Sequence, residues 1–210
     1  MKHLSAAVAA FFALSLAGCG SGLTGPSAPS NASVPQQSAV ATAGVPAAVE
    51  PDAHAAAAYC SQTHGKVEVR QPVYGSNSSN LLFLSGKRSF CRYSRGKGSY
   101  KSSIYILLAT LYTTKPSLAA LAYYLKPPTG SCSGNPASCY CTLLGGSDQF
   151  GGTTGAGGGW YKKNSVDQTL EACIFPDMSS IDSWGLAYNA NGIIRGIDLT
   201  KVMRYKYPAS

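Results

Sequence analysis

Apolar positions change their period several times along this chain, and each change marks an element. Behind Asp52, a residue type that caps helices, residues 55–60 are good helix formers that run out near Gly65, which predicts a short helix. Lys66-Val67-Glu68-Val69-Arg70 then alternates polar with apolar, the period of a half-buried strand, and Gln71-Pro72 closes it. Residues 74–80 read as a polar loop. Residues 81–84 and 89–93 flank Ser85-Gly86-Lys87, a sequence with turn chemistry, and predict a β-hairpin. Residues 104–125 form a strongly apolar stretch that Lys115-Pro116 interrupts, so it does not predict a single membrane span. Residues 104–112 are expected as helix or strand. A second helix is expected to start at Pro116, with Leu118, Leu121, Ala122 and Leu125 on one buried face, and to end at Lys126-Pro127-Pro128.

The pattern then begins again. Asn135-Pro136 is a helix start, with Asn as cap and Pro in the first turn; the helix continues to Leu144 and stops at Gly145-Gly146. Residues 151–159 are glycine-rich but lack the Gly-Lys-Ser/Thr ending of a phosphate loop, and read as a flexible hairpin loop. Residues 170–175 predict a strand. Residues 180–188 predict a helix capped by Ser180, burying Ile181, Trp184 and Ala187 or Tyr188. Asn191-Gly192 is a turn, and residues 193–199 and 202–207 are expected as a closing pair of strands around Thr200-Lys201.

The two halves echo each other. Tyr59-Cys60 with Gly65 matches Tyr140-Cys141 with Gly146, Cys91 stands to Cys60 almost as Cys173 stands to Cys141, and Ser102-Ser103-Ile104 is followed by Ser179-Ser180-Ile181. The expected fold is α+β: two tandem, small, disulfide-stapled modules, 53–126 and 131–210, each a helix, an antiparallel hairpin and a helix.

Cysteine usage sets the compartment. There are seven cysteines. The first follows a basic start, Met1-Lys2-His3, and an apolar run over residues 4–16 that is too short to span a bilayer. Leu16-Ala17-Gly18-Cys19 resembles the bacterial lipobox. The resemblance implies that 1–18 is a lipoprotein signal peptide, that Cys19 is acylated, and that the chain is anchored in the bacterial envelope. Gly20 in place of Asp after the cysteine implies the outer membrane, facing the periplasm. Residues 19–52 are Ala, Ser, Pro and Gly with hardly a large apolar side chain, a composition expected to form a disordered tether. With Cys19 set aside, six cysteines remain in an exported chain, which reads as three disulfides. The repeat selects Cys60–Cys91 and Cys141–Cys173, leaving Cys132–Cys139; Cys139 and Cys141, two residues apart, are the pair able to exchange partners. The rival is a metal site using Cys60 and His64, four apart, but no Cys-x-x-Cys exists, and neither metal nor cofactor is expected.

Charge sharpens the picture of partners. The chain carries a formal +8, and no Asp or Glu lies between Glu68 and Asp148. Lys87, Arg88, Arg92, Arg95, Lys97 and Lys101 form a basic cluster and are the candidate polyanion-binding residues; the alternative is a solvated basic face. Tyr93 and Tyr100 interleave with these charges, but no motif of a nucleic-acid-binding fold accompanies them, so nucleic acid is not an expected partner. The expected partners are the membrane, through the lipid, and lipopolysaccharide, peptidoglycan or an envelope protein.

One longer motif remains. Asn135-Pro136-Ala137-Ser138, Tyr140-Cys141, Gly145-Gly146, Cys173 with Pro176-Asp177, and Ile181-Asp182 with Trp184 together resemble a family of small bacterial envelope lipoproteins labelled hemolysins, a domain of unknown function. The second module carries the match and the first is a weak copy. The chain departs from the family pattern by Cys139 before Tyr140, by Met178 where Gly is usual, and by Gly185 where Ala is usual. The resemblance implies no chemistry. The function expected is a non-enzymatic binding or structural module. Its alternatives are a protease-inhibitor-like or hemolysin- and toxin-like module, or a small periplasmic enzyme using Asp177, Asp182, His64 or serines. Asp182 is accounted for as a first-turn helix carboxylate and Asp177 as a turn residue.

Overall fold

The computed structural model describes residues 52–75, 81–148, 157–162 and 165–208. The expected signal peptide, Cys19, nearly all of the expected tether, and residues 151–156 of the glycine-rich stretch lie outside the described residues. The fold is α+β, with antiparallel strands and three disulfides. In chain order the elements are α1 (Ala53–Gln62), β1 (Lys66–Tyr74), β2 (Leu82–Phe83), β3 (Arg88–Arg95), β4 (Ser102–Leu107), α2 (Leu108–Tyr112), α3 (Leu118–Leu125), α4 (Pro136–Leu143), β5 (Gly158–Lys162), β6 (Ser165–Leu170), β7 (Ala172–Ile174), β8 (Ser180–Asp182), α5 (Ser183–Ala190) and α6 (Leu199–Val202). The strands form one sheet in the order β6-β5-β1-β3-β4-β8-β7, with β2 beside β1.

The expected separation into 53–126 and 131–210 is not how the strands pair. β5 lies on β1 and β8 lies on β4, so one sheet is common to both halves. Within it the staples repeat closely. The bonds are Cys60–Cys91, Cys141–Cys173 and Cys132–Cys139. Gly65 N–H donates to the Cys60 carbonyl at 2.8 Å, and Gly146 N–H to the Cys141 carbonyl at 2.9 Å. Cys91 is opposite Ile106, Cys173 is opposite Ile181, and Ile106 is opposite Ile181. Lys66 is paired with Arg92, and Ser147 is bridged to Ile174. Cys60 is thus spent in a disulfide, and His64 lies beyond the end of α1, which removes the metal pair.

Several elements differ from expectation, each for a local reason. Pro72 does not end β1. The Gln71 side-chain amide donates to the Leu84 carbonyl at 3.1 Å in place of the missing Pro72 N–H, the Pro72 carbonyl accepts from Leu84 N–H at 2.9 Å, and the strand runs on to pair Gln71–Tyr74 with β5. The hairpin expected around Ser85-Gly86-Lys87 does not form: β2 pairs with β1, and β3 pairs with β4 from Phe90–Leu107 to Arg95–Ser102. Gly96 (φ 84°) and Gly98 (φ 55°) supply the left-handed backbone that turns β3 into β4. Residues 104–112 divide into strand and helix at Leu107. α3 begins behind Ser117, whose hydroxyl accepts from Ala120 N–H, not at Pro116. Its buried face is Ala119, Ala120, Ala122 and Tyr123, while Leu118 and Leu125 are exposed, since small side chains let neighbouring elements approach. Residues 180–182 are strand, not helix; Asp182, not Ser180, caps α5. The closing strands are absent from the described residues. Asp198 accepts from Thr200 N–H and hydroxyl, which nucleates α6 instead.

Strand β1 also inverts its alternation. Glu68 and Arg70 are buried, at 3% and 1% exposure, whereas Val69 is 56% exposed. The charges are matched internally: Glu68 meets Arg70 at 2.9 Å, Arg92 at 2.8 Å and Lys162 at 3.0 Å, while Arg70 also donates to the Trp160 carbonyl at 3.0 Å and lies over the Tyr105 ring. Burial works to raise the Glu68 pKa, but the Lys162 hydrogen bond and the charges of Arg70 and Arg92 hold the carboxyl below its usual range. Hydrophobic packing on this face is correspondingly small, with Phe90, Leu107, Trp160, Leu170 and Ala172 together; the larger core lies on the helical side around Ile104, Ile106, Ile181 and Leu186.

Two outcomes follow from this packing. Glu68→Gln leaves Arg70 buried without its counter-charge and should cost about 3–5 kcal/mol in urea unfolding; a loss below about 1 kcal/mol would refute the role given to the carboxylate. A Cβ at Gly65 would collide with Cys91 Sγ and one at Gly146 with Cys173 Sγ. Gly65→Ala and Gly146→Ala should therefore each cost at least about 2 kcal/mol, read by thermal melting alongside a free-thiol count; an alanine accepted at either site would show that the staple does not need the close approach.

Candidate functional site

The six candidate basic residues do not form one patch. Lys87 and Arg88 stand at the start of β3, and Arg88 donates to the Met178 carbonyl at 3.2 Å and lies over Trp160. Arg92 is drawn into the Glu68 cluster. Arg95, Lys97 and Lys101 sit at the far tip of the β3–β4 hairpin, all exposed, about 20 Å or more from Arg88 at a strand's rise per residue. The six residues are close in sequence, but strand geometry divides them. Tyr100 shares the tip and is 89% exposed.

At the base of that tip the chain forms an open cleft of about 530 Å³, lined by Ser102, Trp184, Tyr188, Ile193, Ile194 and Arg195. Trp184 and Tyr188 are four apart on α5, hence on one face, with ring centroids 5.9 Å apart. The Arg195 guanidinium lies 5.4 Å from the centre of the Tyr188 ring. Two glycines place the third wall. Gly192 (φ 77°) reverses the chain after α5, and Gly196 (φ 61°) sits where a Cβ would strike the Tyr93 carbonyl. Gly196 N–H donates to Ser102 Oγ at 3.2 Å, which clamps the loop to the last ladder position before the hairpin tip. Held there, Ile193 remains 52% and Ile194 36% exposed. Arg95 is directly opposite Ser102 in the ladder, so tip and cleft are continuous.

At the N-terminus of α5 stands Asp182, 3% exposed. Its carboxylate accepts from Trp184 N–H at 3.0 Å and so caps the helix that carries the aromatic wall. Burial pushes its pKa up to about 6; the Arg195 charge and the Gly185 and Trp184 N–H groups oppose the rise, and Glu171 adds to it.

The carboxylates considered for catalysis have other partners. Asp177 accepts from Leu118 N–H at 2.8 Å and from Ser179 N–H and hydroxyl, and Ser179 Oγ accepts from Ala119 N–H at 3.0 Å, so this pair caps α3 from a distant segment. His64 (φ 66°) is an exposed residue just past α1. The cleft residues Tyr188, Ile193, Ile194 and Arg195 were not identified as a site from sequence. Their signal was an aromatic pair at helical spacing followed by Gly-Ile-Ile-Arg-Gly, two apolar residues held between glycines beside a cation.

Asp182 makes stability depend on pH in a defined direction. The folded carboxyl titrates near 6 against an ordinary 3.8, so the native state binds the proton more tightly than the unfolded chain. This contribution is complete below about pH 4 and is lost as pH rises through about 6, on the order of 3 kcal/mol between the plateaux. Asp182→Asn keeps a capping side chain and should remove that fall from urea-unfolding curves at about pH 4 and about pH 7; an equal fall in both proteins would assign it to other groups.

Comparison with protein-family models, with curated proteins and with solved structures returned no match, so function rests on the geometry of this surface.

Proposed function

We propose that the protein is a lipid-anchored component of the bacterial envelope that binds rather than catalyses. In this reading residues 1–18 are removed, Cys19 carries the lipid, residues 19–52 act as a tether from the outer membrane into the periplasm, and the folded part presents the cleft and hairpin tip to an envelope partner. The observation that carries it is the makeup of the cleft, aromatic and apolar walls with Arg195 at the edge and Arg95, Lys97 and Lys101 adjoining. It is a surface suited to recognition. The carboxylates considered for chemistry hold helix ends instead.

The two staples are read here as copies of one module fused through a shared sheet; the matched Cys–Gly approach at 60/65 and 141/146 supports this. The resemblance to the hemolysin-labelled lipoproteins gains physical sense at two of its departures. Met178 has φ 64°, a conformation that favours the glycine usual there. At Gly185, an added Cβ would meet the Ile104 side chain, so this large core residue accompanies the missing methyl.

The test is the anchor. In cells fed labelled palmitate, the wild-type chain should take up label and fractionate with membranes in high salt, and Cys19→Ala should lose the label and appear in the soluble periplasmic fraction. Unlabelled wild-type chain, or a Cys19→Ala chain retained on membranes in high salt, would overturn the lipoprotein reading.

A further inference from the structure

We infer that the hairpin tip and the adjoining cleft form a second, non-covalent membrane contact that docks on an anionic phospholipid surface. The inference deepens the binding reading above and rests on it for the choice of face, but it does not depend on acylation of Cys19. Four observations converge.

Tyr100 projects from the tip almost fully exposed, between Lys97 and Lys101 and near Arg95. An amphipathic ring flanked by cations is the arrangement that settles at headgroup depth, with the charges meeting phosphates. Ile193 and Ile194 are apolar, exposed, and line the cleft together with Ser102, the residue opposite Arg95 in the ladder. Between them and the Trp184–Tyr188 wall there is space of about 530 Å³, with the Arg195 guanidinium at the Tyr188 ring. The charge on the tip is of one sign: the hairpin belongs to the stretch between Glu68 and Asp148 that has no carboxylate at all.

Charge complementarity selects the occupant. A neutral surface would match the isoleucines but leave the tip cations without counter-charges. A soluble phosphate would match the cations but not the exposed Tyr100, Ile193 and Ile194. An anionic bilayer interface offers phosphates and hydrocarbon at adjacent depths, and so can meet both the cations and the apolar side chains.

The experiment uses the mature chain from residue 19, oxidised, with Cys19→Ser so that no acyl group contributes. It is sedimented with vesicles of phosphatidylglycerol in phosphatidylcholine, with phosphatidylcholine vesicles, and with the first vesicles in the presence of excess inorganic phosphate. Two tryptophans report on the process; Trp160 is buried at 3% exposure while Trp184 lines the cleft, so a blue shift on docking reports Trp184. Expected are salt-sensitive binding to the phosphatidylglycerol vesicles with a blue shift, little binding to phosphatidylcholine alone, and at least about a tenfold loss in Lys97→Glu/Lys101→Glu. Several-fold losses are expected in Tyr100→Ser and in Ile193→Ser/Ile194→Ser. All these sites are exposed, and circular dichroism confirms that the variants are folded. Equal binding by wild type and variants, equal binding to neutral vesicles, or no binding at all overturns the inference. Competition by inorganic phosphate beyond that of sodium chloride at the same ionic strength overturns it in favour of a soluble-anion site. Binding that responds to the charge reversals but leaves tryptophan emission and the isoleucine variant unaffected overturns the joint tip-and-cleft contact. None of these outcomes bears on palmitate labelling at Cys19, so this inference and the anchor fail separately.

Discussion

The structure depends on one antiparallel contact between strands far apart in sequence, where Ile106 of β4 faces Ile181 of β8, both fully buried. Each isoleucine has a stapled cysteine as its other neighbour, Cys91 on one side and Cys173 on the other. The disulfides therefore fasten α1 and α4 to the strands flanking that contact. Closing loops of this length restricts the unfolded chain by roughly 3–4 kcal/mol each in the entropy model, a large share of a small domain's net stability. The contact also fixes the cleft. α5 leaves β8 without a loop, so Trp184 and Tyr188 are aimed by the strand whose centre is Ile181, and Gly185 lets the helix settle against Ile104.

The second constraint is electrostatic. β1 serves three partners along its length, β3 at residues 66–70, then β5 at 71–74 with β2 at 73–74. A strand passing from one partner to the next leaves a place where apolar packing alone is thin, and Glu68 and Arg70 lie there. A buried ion cluster is weak evidence for stability, since apolar replacements often do as well. It does restrict register: Arg70 reaches the Trp160 carbonyl and Lys162 reaches Glu68 only if β5 sits where it does. A slip of one residue would bring the exposed Val69 inward and expel both charges.

The parts legible in the sequence were those specified by neighbours along the chain. Asp52 and Asn135 cap helices where capping chemistry places them, and the Cys-x4-Gly echo points to the pairing seen, because the sulfur needs the adjacent glycine to approach. What was not legible depends on choices among distant partners. Ser85-Gly86-Lys87 and Gly96-Lys97-Gly98 both have turn chemistry; β4 offers β3 six paired positions, and no local rule ranks that above a hairpin with β2. Strand period revealed β1 but not which face goes inside, since Arg92 and Lys162 arrive from elsewhere to neutralise Glu68. The cleft draws on residues separated by some ninety positions, Ser102 and Arg195, joined by a hydrogen bond at Gly196 that no periodicity foretells.

The hairpin that bears the tip is fixed at its base by consecutive residues using different interactions. Cys91 is held by the staple, Arg92 by Glu68, and Tyr93 by the Thr63 hydroxyl at 2.6 Å. Ser94 and Ser103 then join hydroxyls across the strands at 2.8 Å, and beyond them residues 95–101 are exposed. The side chains proposed to meet a surface thus project from a base that is already ordered, so binding need not fix the strands as well as the contact. Association costs are largest where loops and side chains must be immobilised; here the backbone share of that cost is met in folding. In that proposal the tip cations and Tyr100, together with Ile193 and Ile194, would make a contact that forms and releases with ionic strength.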